Sequence, residues 1–309
     1  MSKSKKNKKE SEKELKTIKT RKAIMGDAQT TLMKRVVIIG DTHCGHVTGL
    51  THPNWQFNKT SSDKRIRLLA RVQDQAWNWY EIQARKLGPV DILIMNGDAI
   101  DGRGEKSGGT ELLTSDRNDQ CKMAAKCIMA FRPKRVFIVR GTPYHTGSQE
   151  DFEDIIKEML PDDLKETCIV SDMLDLTVIV GSKEVVFNVK HDLGNSNVPG
   201  GRQTAVAKDK YFNMFWADRD GQKRADFIVR NHVHYFAGNV EIVGGKEVWG
   251  IVNPALQLVG PDFGTKFGKR CRGTVDFGFT YYDITEKGVS WEPVYTVLPV
   301  QKVGAGVVA

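Results

Sequence analysis

The sequence predicts an α/β fold: a four-layer αββα sandwich in which two mixed β-sheets pack back to back and helices cover both outer faces. In the first half of the 309 residues, β-branched apolar runs alternate with amphipathic segments, which is typical of parallel strands joined by helical crossovers. The second half consists mainly of β-rich pairs around glycine turns, which predicts hairpins. No fixed repeat and no long linker interrupts residues 34–300, so one domain is expected there.

The first half predicts three buried strands separated by two helices. Each strand is a short apolar run, and each helix has apolar residues at a spacing of three to four. The first helix ends at Gly88-Pro89, because proline cannot continue a helix. The predicted order is a strand at 35–40, a helix at 62–87, a strand at 91–95, a helix at 116–131 and a strand at 135–139.

In the second half, Gly181-Ser182 and Gly244-Gly245 are the expected turns of two hairpins. The predicted elements are a helix at 149–160, strands at 176–180 and 184–189, a helix at 202–219, a strand at 226–230, a β-rich stretch at 240–255, and closing strands at 279–284 and 289–298.

Composition is that of an ordinary globular protein, with 40% hydrophobic and 27% charged residues. No apolar run approaches the roughly 18 residues of a membrane span, and the N-terminus lacks the apolar core of a signal peptide. We therefore expect no membrane partner and a cytoplasmic location. The five cysteines form no CxxC pair, which argues against a disulfide framework and against a thiolate zinc site.

The net charge of +8 belongs to the N-terminal end. Residues 1–22 hold ten lysines and arginines against three glutamates, so they supply seven of the eight net positive charges. A segment this polar buries too little apolar surface to fold, and residues 1–30 are expected to form a disordered basic tail. The tail is either a solubilising extension or a salt-sensitive tether to polyanions such as nucleic acid.

Five of the seven histidines and two aspartates come directly after apolar runs. They are Asp41, His43, Asp98, His145, His191, His232 and His234. The loops at the carboxyl ends of strands converge in an open α/β sheet, so these side chains are expected to meet at one edge. A mixed oxygen and imidazole ligand set suits Mn²⁺, Fe, Zn²⁺, Ni²⁺ or Co²⁺ better than Mg²⁺ or Ca²⁺. The sequence therefore predicts a metal site.

Five sequence blocks together resemble the calcineurin-like metallophosphoesterases in their order and spacing. The blocks are Asp41-x-His43, Gly97-Asp98-x-x-Asp101-Gly102, Gly141-Thr142-Pro143-Tyr144-His145, His191 and Asn231-His232-x-His234. The resemblance extends over residues 35–260. The compact chain with its variant third block is most similar in style to phage-encoded members, which would place the protein in a host cytoplasm.

The resemblance implies the calcineurin-like phosphoesterase fold and two divalent metal ions, with Mn²⁺ as the first candidate. One ion would be held by Asp41, His43, Asp98 and His234, and the other by Asp98 as the bridge, His191, His232 and a third-block residue. Ions about 3.5–4 Å apart can share a hydroxide that attacks phosphorus in line, and metal binding lowers the pKa of that water toward neutrality.

The third block departs from the family pattern, which is usually Gly-Asn-His-Asp/Glu with the asparagine as a metal ligand. Here the asparagine is missing and the histidine comes later, at His145. Either His145 replaces the asparagine on the second ion, or it remains the proton donor while Thr142 or water completes the coordination. Asp98 and His145 are the expected catalytic residues.

Other residues near the blocks have weaker assignments. Asp101 is expected to form a turn or to support the ligands rather than to bind metal. Arg103 and His46 are candidates for substrate contacts, although an ordinary loop position explains each of them as well. Asn231 stands where the family usually has glycine.

These observations predict a metal-dependent phosphoric ester hydrolase that cleaves a phosphodiester or phosphomonoester by metal-bound hydroxide. A nuclease or nucleotide phosphodiesterase is slightly favoured over a protein phosphatase, because the tail and the loop at 266–272 are basic and the second block lacks the Asp-Arg-Gly form. The alternatives are a non-catalytic binding protein that retains the fold and a metal-dependent hydrolase of a non-phosphate ester. The oligomeric state stays open.

Overall fold

The structure is a computed structural model that describes residues 32–104, 107–146, 152–195, 198, 200–258 and 274–299. The expected basic tail and the basic loop at 266–272 lie outside the described residues.

The described residues form eleven strands and six α-helices. The strands are β1 Met33–Ile39, β2 Ile92–Asn96, β3 Arg135–Val139, β4 Ile169–Ser171, β5 Met173–Val180, β6 Lys183–Lys190, β7 Phe227–Arg230, β8 Ala237–Val243, β9 Lys246–Val252, β10 Thr274–Thr285 and β11 Gly288–Pro299. The helices are α1 Lys64–Leu87, α2 Arg117–Met129, α3 Pro143–Thr146, α4 Phe152–Glu158, α5 Asp162–Thr167 and α6 Thr204–Asp220.

The strands form two mixed sheets. The first has the order β11-β10-β1-β2-β3-β4, with β1 to β4 parallel and β10 and β11 antiparallel to their neighbours. The second has the order β5-β6-β7-β9-β8, in which β6, β7 and β9 are parallel and the two edge strands are antiparallel. The carboxyl ends of β1, β2 and β3 therefore share one edge, and those of β6 and β7 share another.

Alternating side chains of β1 show how the layers stack. Val36 and Ile38 belong to the core between the two sheets, with Phe187 and Phe227 of the second sheet. Their neighbours along the strand face the opposite way, toward the core beneath α1 and α2. On the far side, Val206 of α6 packs against the second sheet. The four-layer αββα fold class predicted from the sequence is confirmed.

Two of the longer helices, α1 and α2, begin at capping aspartates. Asp63 accepts a hydrogen bond from the Arg65 amide at the start of α1, and Asp116 accepts one from Asn118 at the start of α2. Gln73, a break in the apolar spacing of α1, is buried because it donates to the Val47 carbonyl and accepts from the Phe57 amide. None of the helices in the described part of the chain is both long enough and apolar enough to cross a bilayer.

Most of the predicted helices and strands lie within a few residues of the observed ones. Three short elements were not predicted, and two strands are longer than expected. The short elements α3, α5 and β4 were not predicted. The closing strands β10 and β11 are each 12 residues long, longer than their apolar runs indicated.

A substitution at Phe187 tests the assignment of the core between the two sheets. Phe187 is fully buried and stacks on Phe227 with ring centroids 5.2 Å apart. Phe187→Ala is expected to lower the free energy of unfolding by about 3–5 kcal/mol, because it removes a large side chain and leaves a cavity. The control Ile179→Ala, at a half-exposed position of β5, is expected to cost about 1 kcal/mol or less. Urea titration measures both values, and equal losses would contradict this assignment of the core.

Candidate metal centre

The residues predicted as ligands follow the carboxyl ends of five strands from both sheets. Asp41 and His43 follow β1, Asp98 follows β2, and Thr142 and His145 follow β3. From the second sheet, His191 follows β6, while His232 and His234 follow β7. The site therefore lies where the ends of the two sheets meet.

Most of these residues have an unusual backbone conformation. Of the six non-glycine residues with positive φ in the described chain, five belong to this group: Asp41 (49°), His43 (41°), Asp98 (46°), His232 (76°) and His234 (56°). Such a conformation costs about 1–3 kcal/mol per residue and is characteristic of functional sites. Hydrogen bonds between loops offset part of this cost, as from the Asp41 amide to the Gly97 carbonyl and from the His43 amide to the Asp98 carbonyl, each 3.0 Å.

Asp98 lies at the centre of the group. Its Oδ1 accepts hydrogen bonds from the Thr142 amide at 2.7 Å and from the Thr142 hydroxyl at 3.0 Å. Its Oδ2 faces four imidazole nitrogens: His191 Nε2 at 3.0 Å, His145 Nε2 at 3.7 Å, His232 Nδ1 at 3.8 Å and His43 Nε2 at 4.0 Å. One oxygen is therefore fixed by the protein, and the other is shared among potential ligands.

In Asp41, too, one carboxylate oxygen is held by hydrogen bonds and the other faces imidazoles. Its Oδ2 accepts hydrogen bonds from Asn231 Nδ2 at 2.9 Å and from the His232 amide at 3.2 Å. Its Oδ1 faces His234 Nε2 at 3.3 Å and His191 Nε2 at 3.8 Å.

Three imidazoles are oriented in the same way, with Nδ1 toward a protein oxygen and Nε2 toward the centre. His191 Nδ1 lies 2.8 Å from the Asn96 carbonyl, and His145 Nδ1 lies 3.2 Å from the Asp101 carbonyl. His43 Nδ1 lies 3.1 Å from Asp101 Oδ1. Because these oxygens accept, the single proton of each neutral imidazole belongs on Nδ1, and its Nε2 lone pair can then bind a metal ion. Asp101 thus supports two imidazoles.

The donors form three overlapping groups, in each of which one atom per residue lies within 4.8 Å of the others: Asp41, His43 and His234; His43, Asp98 and His145; and Asp98, His191 and His232. The structure thus places His145 with His43 and Asp98 rather than with His191 and His232. Thr142 contacts Asp98 through the hydrogen bonds that it donates.

Buried atoms in these groups show that a cation fits. Asp41 Oδ1 and His232 Nδ1 are buried and have no hydrogen-bond partner, and buried His191 Nε2 lies 3.0 Å from Asp98 Oδ2. Buried polar atoms normally find partners, and a divalent ion would supply one to each. Carboxylate oxygens with imidazole nitrogens suit Mn²⁺, Fe, Zn²⁺, Ni²⁺ or Co²⁺.

The charges of the two aspartates change the protonation of their neighbours. Burial lowers the pKa of His191, but the nearby Asp98 and Asp41 carboxylates outweigh it and raise that pKa to about 10. In contrast, burial and the neighbouring His145 lower the pKa of His43 to about 4. The metal-free site therefore holds a protonated His191 between two carboxylates, and His43 is neutral.

The two residues proposed for substrate contact lie outside the donor groups. His46 Nδ1 accepts a hydrogen bond from the Thr48 amide at 3.0 Å, and its Nε2 lies 3.4 Å from a Glu111 oxygen, so both ring nitrogens are engaged. The Arg103 side chain is exposed on the loop after Asp101.

Sequence reasoning missed two supporting roles. Asn231 donates to Asp41 and accepts from Asn96 Nδ2 at 2.7 Å, so the residue in place of the family's glycine holds a ligand. Glu153 is a fully buried carboxylate that accepts hydrogen bonds from the Ala99 and Gly141 amides. The sequence did contain a signal for the burial of Glu153: it lies three residues before buried Ile156 and therefore on the same, inner face of α4.

No protein-family model matches the chain, and no curated protein matches it. Among solved structures, it is similar to Vps29 of Entamoeba histolytica in complex with zinc, at 13% identity over 84% of this chain and 98% of that one, with a TM-score of 0.32. It is also similar to protein TM1076 of Thermotoga maritima, at 14% identity over 85% and 99%, with a TM-score of 0.33. A third is a metallophosphoesterase from Sphaerobacter thermophilus, at 12% identity over 85% and 88%, with a TM-score of 0.30. Likenesses this distant carry no information on activity.

Because His191 is protonated when no metal ion is bound, we predict that metal binding releases a proton. An imidazole must be neutral to bind a metal ion, so the affinity of the metal-free protein for Mn²⁺ is expected to rise with pH up to about 10 and to level off above that. His191→Gln is expected to bind Mn²⁺ more weakly and to release about one proton fewer. Calorimetry between pH 7 and 9, in buffers of different ionisation enthalpy, measures both quantities. Equal proton release by the two proteins would contradict the assignment.

Proposed function

We propose that the protein is a two-metal phosphoesterase that hydrolyses a phosphodiester or a phosphomonoester. The observation that carries the proposal is the position of Asp98 Oδ2, which faces imidazoles from both sheets while Oδ1 is held by Thr142. An oxygen in this position suits a bridge between two ions. Mn²⁺ is the first candidate, with Fe, Zn²⁺, Ni²⁺ and Co²⁺ as alternatives.

Divalent ions held here would supply an activated water and neutralise charge on the phosphoryl group. The chain's own residues provide orientation. Asp41 and Asp98 each keep one oxygen fixed by hydrogen bonds, so neither needs to reorganise during the reaction. The Nδ1 contacts of His43, His145 and His191 hold their rings in one orientation.

Among phosphoric esters, nucleic acids and nucleotides are the favoured substrates. The support comes from the basic segments 1–22 and 266–272, which would attract a polyanion in a salt-dependent way. A protein phosphatase is the alternative within the same chemistry.

A non-catalytic binding protein that retains the fold is the rival from a different class. The observation that favours it is the third block, where Thr142 donates to Asp98 in place of an asparagine ligand. Six aspartate and histidine donors outside that block still meet in the three groups, which favours an enzyme.

Asp98→Ala tests the proposed activity. The wild type with Mn²⁺ is expected to hydrolyse bis-p-nitrophenyl phosphate, and the variant is expected to lose at least about 10³-fold in rate, since it lacks the carboxylate shared by two of the three donor groups. Asp218→Ala, on the outer helix α6, is the matched control and should keep full activity. A panel of phosphomonoesters, cyclic nucleotides, single-stranded DNA and RNA then identifies the substrate class. Absence of turnover by the wild type on the whole panel would refute the enzyme proposal.

His145→Ala distinguishes the two roles considered for His145. Because its Nδ1 lies against a carbonyl and its Nε2 faces Asp98, we expect it to act as a ligand. The variant should then bind Mn²⁺ at least about tenfold more weakly, and phenyl and p-nitrophenyl esters should slow by similar factors. A proton donor would give the opposite pattern: unchanged metal affinity and a much larger loss on the phenyl ester, whose leaving group is more basic.

A further inference from the structure

Glu153 is a buried carboxylate outside the three donor groups. It lies in the first turn of α4 and uses both oxygens on backbone amides. Its Oε1 accepts from the Ala99 amide at 2.8 Å, and its Oε2 accepts from the Gly141 amide at 2.5 Å. One side chain therefore joins the loop after β2 to the loop after β3.

Both of these loops determine where Asp98 lies. Ala99 directly follows Asp98, whose backbone has the left-handed φ of 46°. Gly141 directly precedes Thr142, whose amide and hydroxyl donate to Asp98 Oδ1. The loops are in close contact, because a Cβ added at Gly141 would lie 2.2 Å from the Asp98 amide nitrogen.

Burial raises the pKa of Glu153 to about 7, while its hydrogen bonds from the Gly141 and Ala99 amides favour the charged form. Hydrogen bonds from amides to a carboxylate are stronger than those to neutral oxygens, and two of them oppose the relaxation of the strained turn at Asp98. Without Glu153, both amides would need another acceptor, and the Ala99 amide would be a buried donor.

We infer that Glu153 is a positioning residue of the metal centre: by binding the Ala99 and Gly141 amides it fixes the two loops that set the direction of Asp98 Oδ2. The inference deepens the proposed function and rests on it, because Asp98 Oδ2 is the oxygen proposed to be shared by the ions.

Glu153→Gln tests this role in the full-length protein. Glutamine keeps the size of the side chain, but it offers one acceptor oxygen and turns an N–H donor toward the second amide. The metal-free variant is expected to bind Mn²⁺ 10–100-fold more weakly in a calorimetric titration, the usual effect of losing a residue that orients a ligand. The matched control is Glu158→Gln, which removes the same charge from an exposed position of α4 that pairs with Lys165. It should bind Mn²⁺ like the wild type.

A thermal melt of each metal-free protein separates positioning from a general effect on the fold. A lower melting temperature with wild-type Mn²⁺ affinity in Glu153→Gln would overturn the inference, because it would show a purely structural role. If Glu153→Gln does not fold, Glu153→Asp, which keeps the charge and shortens the side chain, takes its place. Failure of both to fold would also overturn the inference.

The titration of the wild type distinguishes this result from failure of the proposed function. No Mn²⁺ binding by the wild type would refute both. Binding without hydrolysis would refute the phosphoesterase activity, while a weaker affinity in Glu153→Gln would still support the positioning role.

Discussion

The site depends on how two buried carboxylates divide their oxygens. Asp41 and Asp98 each give one oxygen to the protein, through Asn231 and Thr142 respectively, and each turns the other toward the imidazoles. Two negative charges this close in a buried place require a compensating positive charge. When no metal ion is bound, His191 provides it, which is why the pKa of His191 is raised to about 10. A divalent ion would provide it more fully.

The orientation of these groups depends on strained backbone at strand ends. The loops after β1, β2 and β7 contain left-handed residues, among them Asp41 and Asp98, and the loops are joined by hydrogen bonds such as that from the Asp41 amide to the Gly97 carbonyl. The buried cores on both faces of the first sheet supply the rigid base that keeps such turns in place. The fold therefore creates the site, because the order of the strands in the sheets brings these loops together.

Much of the fold was predictable, because it is encoded locally. The apolar run before Asp41 indicates a buried strand, and its alternating residues divide between two cores. The short elements α3, α5 and β4 were not predictable, because three to six residues are too few to show a period.

The candidate ligands were also predictable, since each follows an apolar run and the sheet brings the strand ends together. The residues that hold these ligands in place were not predictable. Asn231 contacts Asp41 across 190 residues, and Glu153 contacts Ala99 across 54, so no local pattern records either contact. The grouping of His145 with His43 likewise depends on a loop path that spacing does not specify.

The origin of the donors in both sheets has a mechanical consequence. Asp41 and His43 belong to the first sheet and His234 to the second, yet their donor atoms lie within one group. An ion bound there would act as a reversible cross-link, closing a loop of nearly two hundred residues much as a disulfide does. The bound ion would then also stabilise the packing of the two sheets at the edge where the site lies.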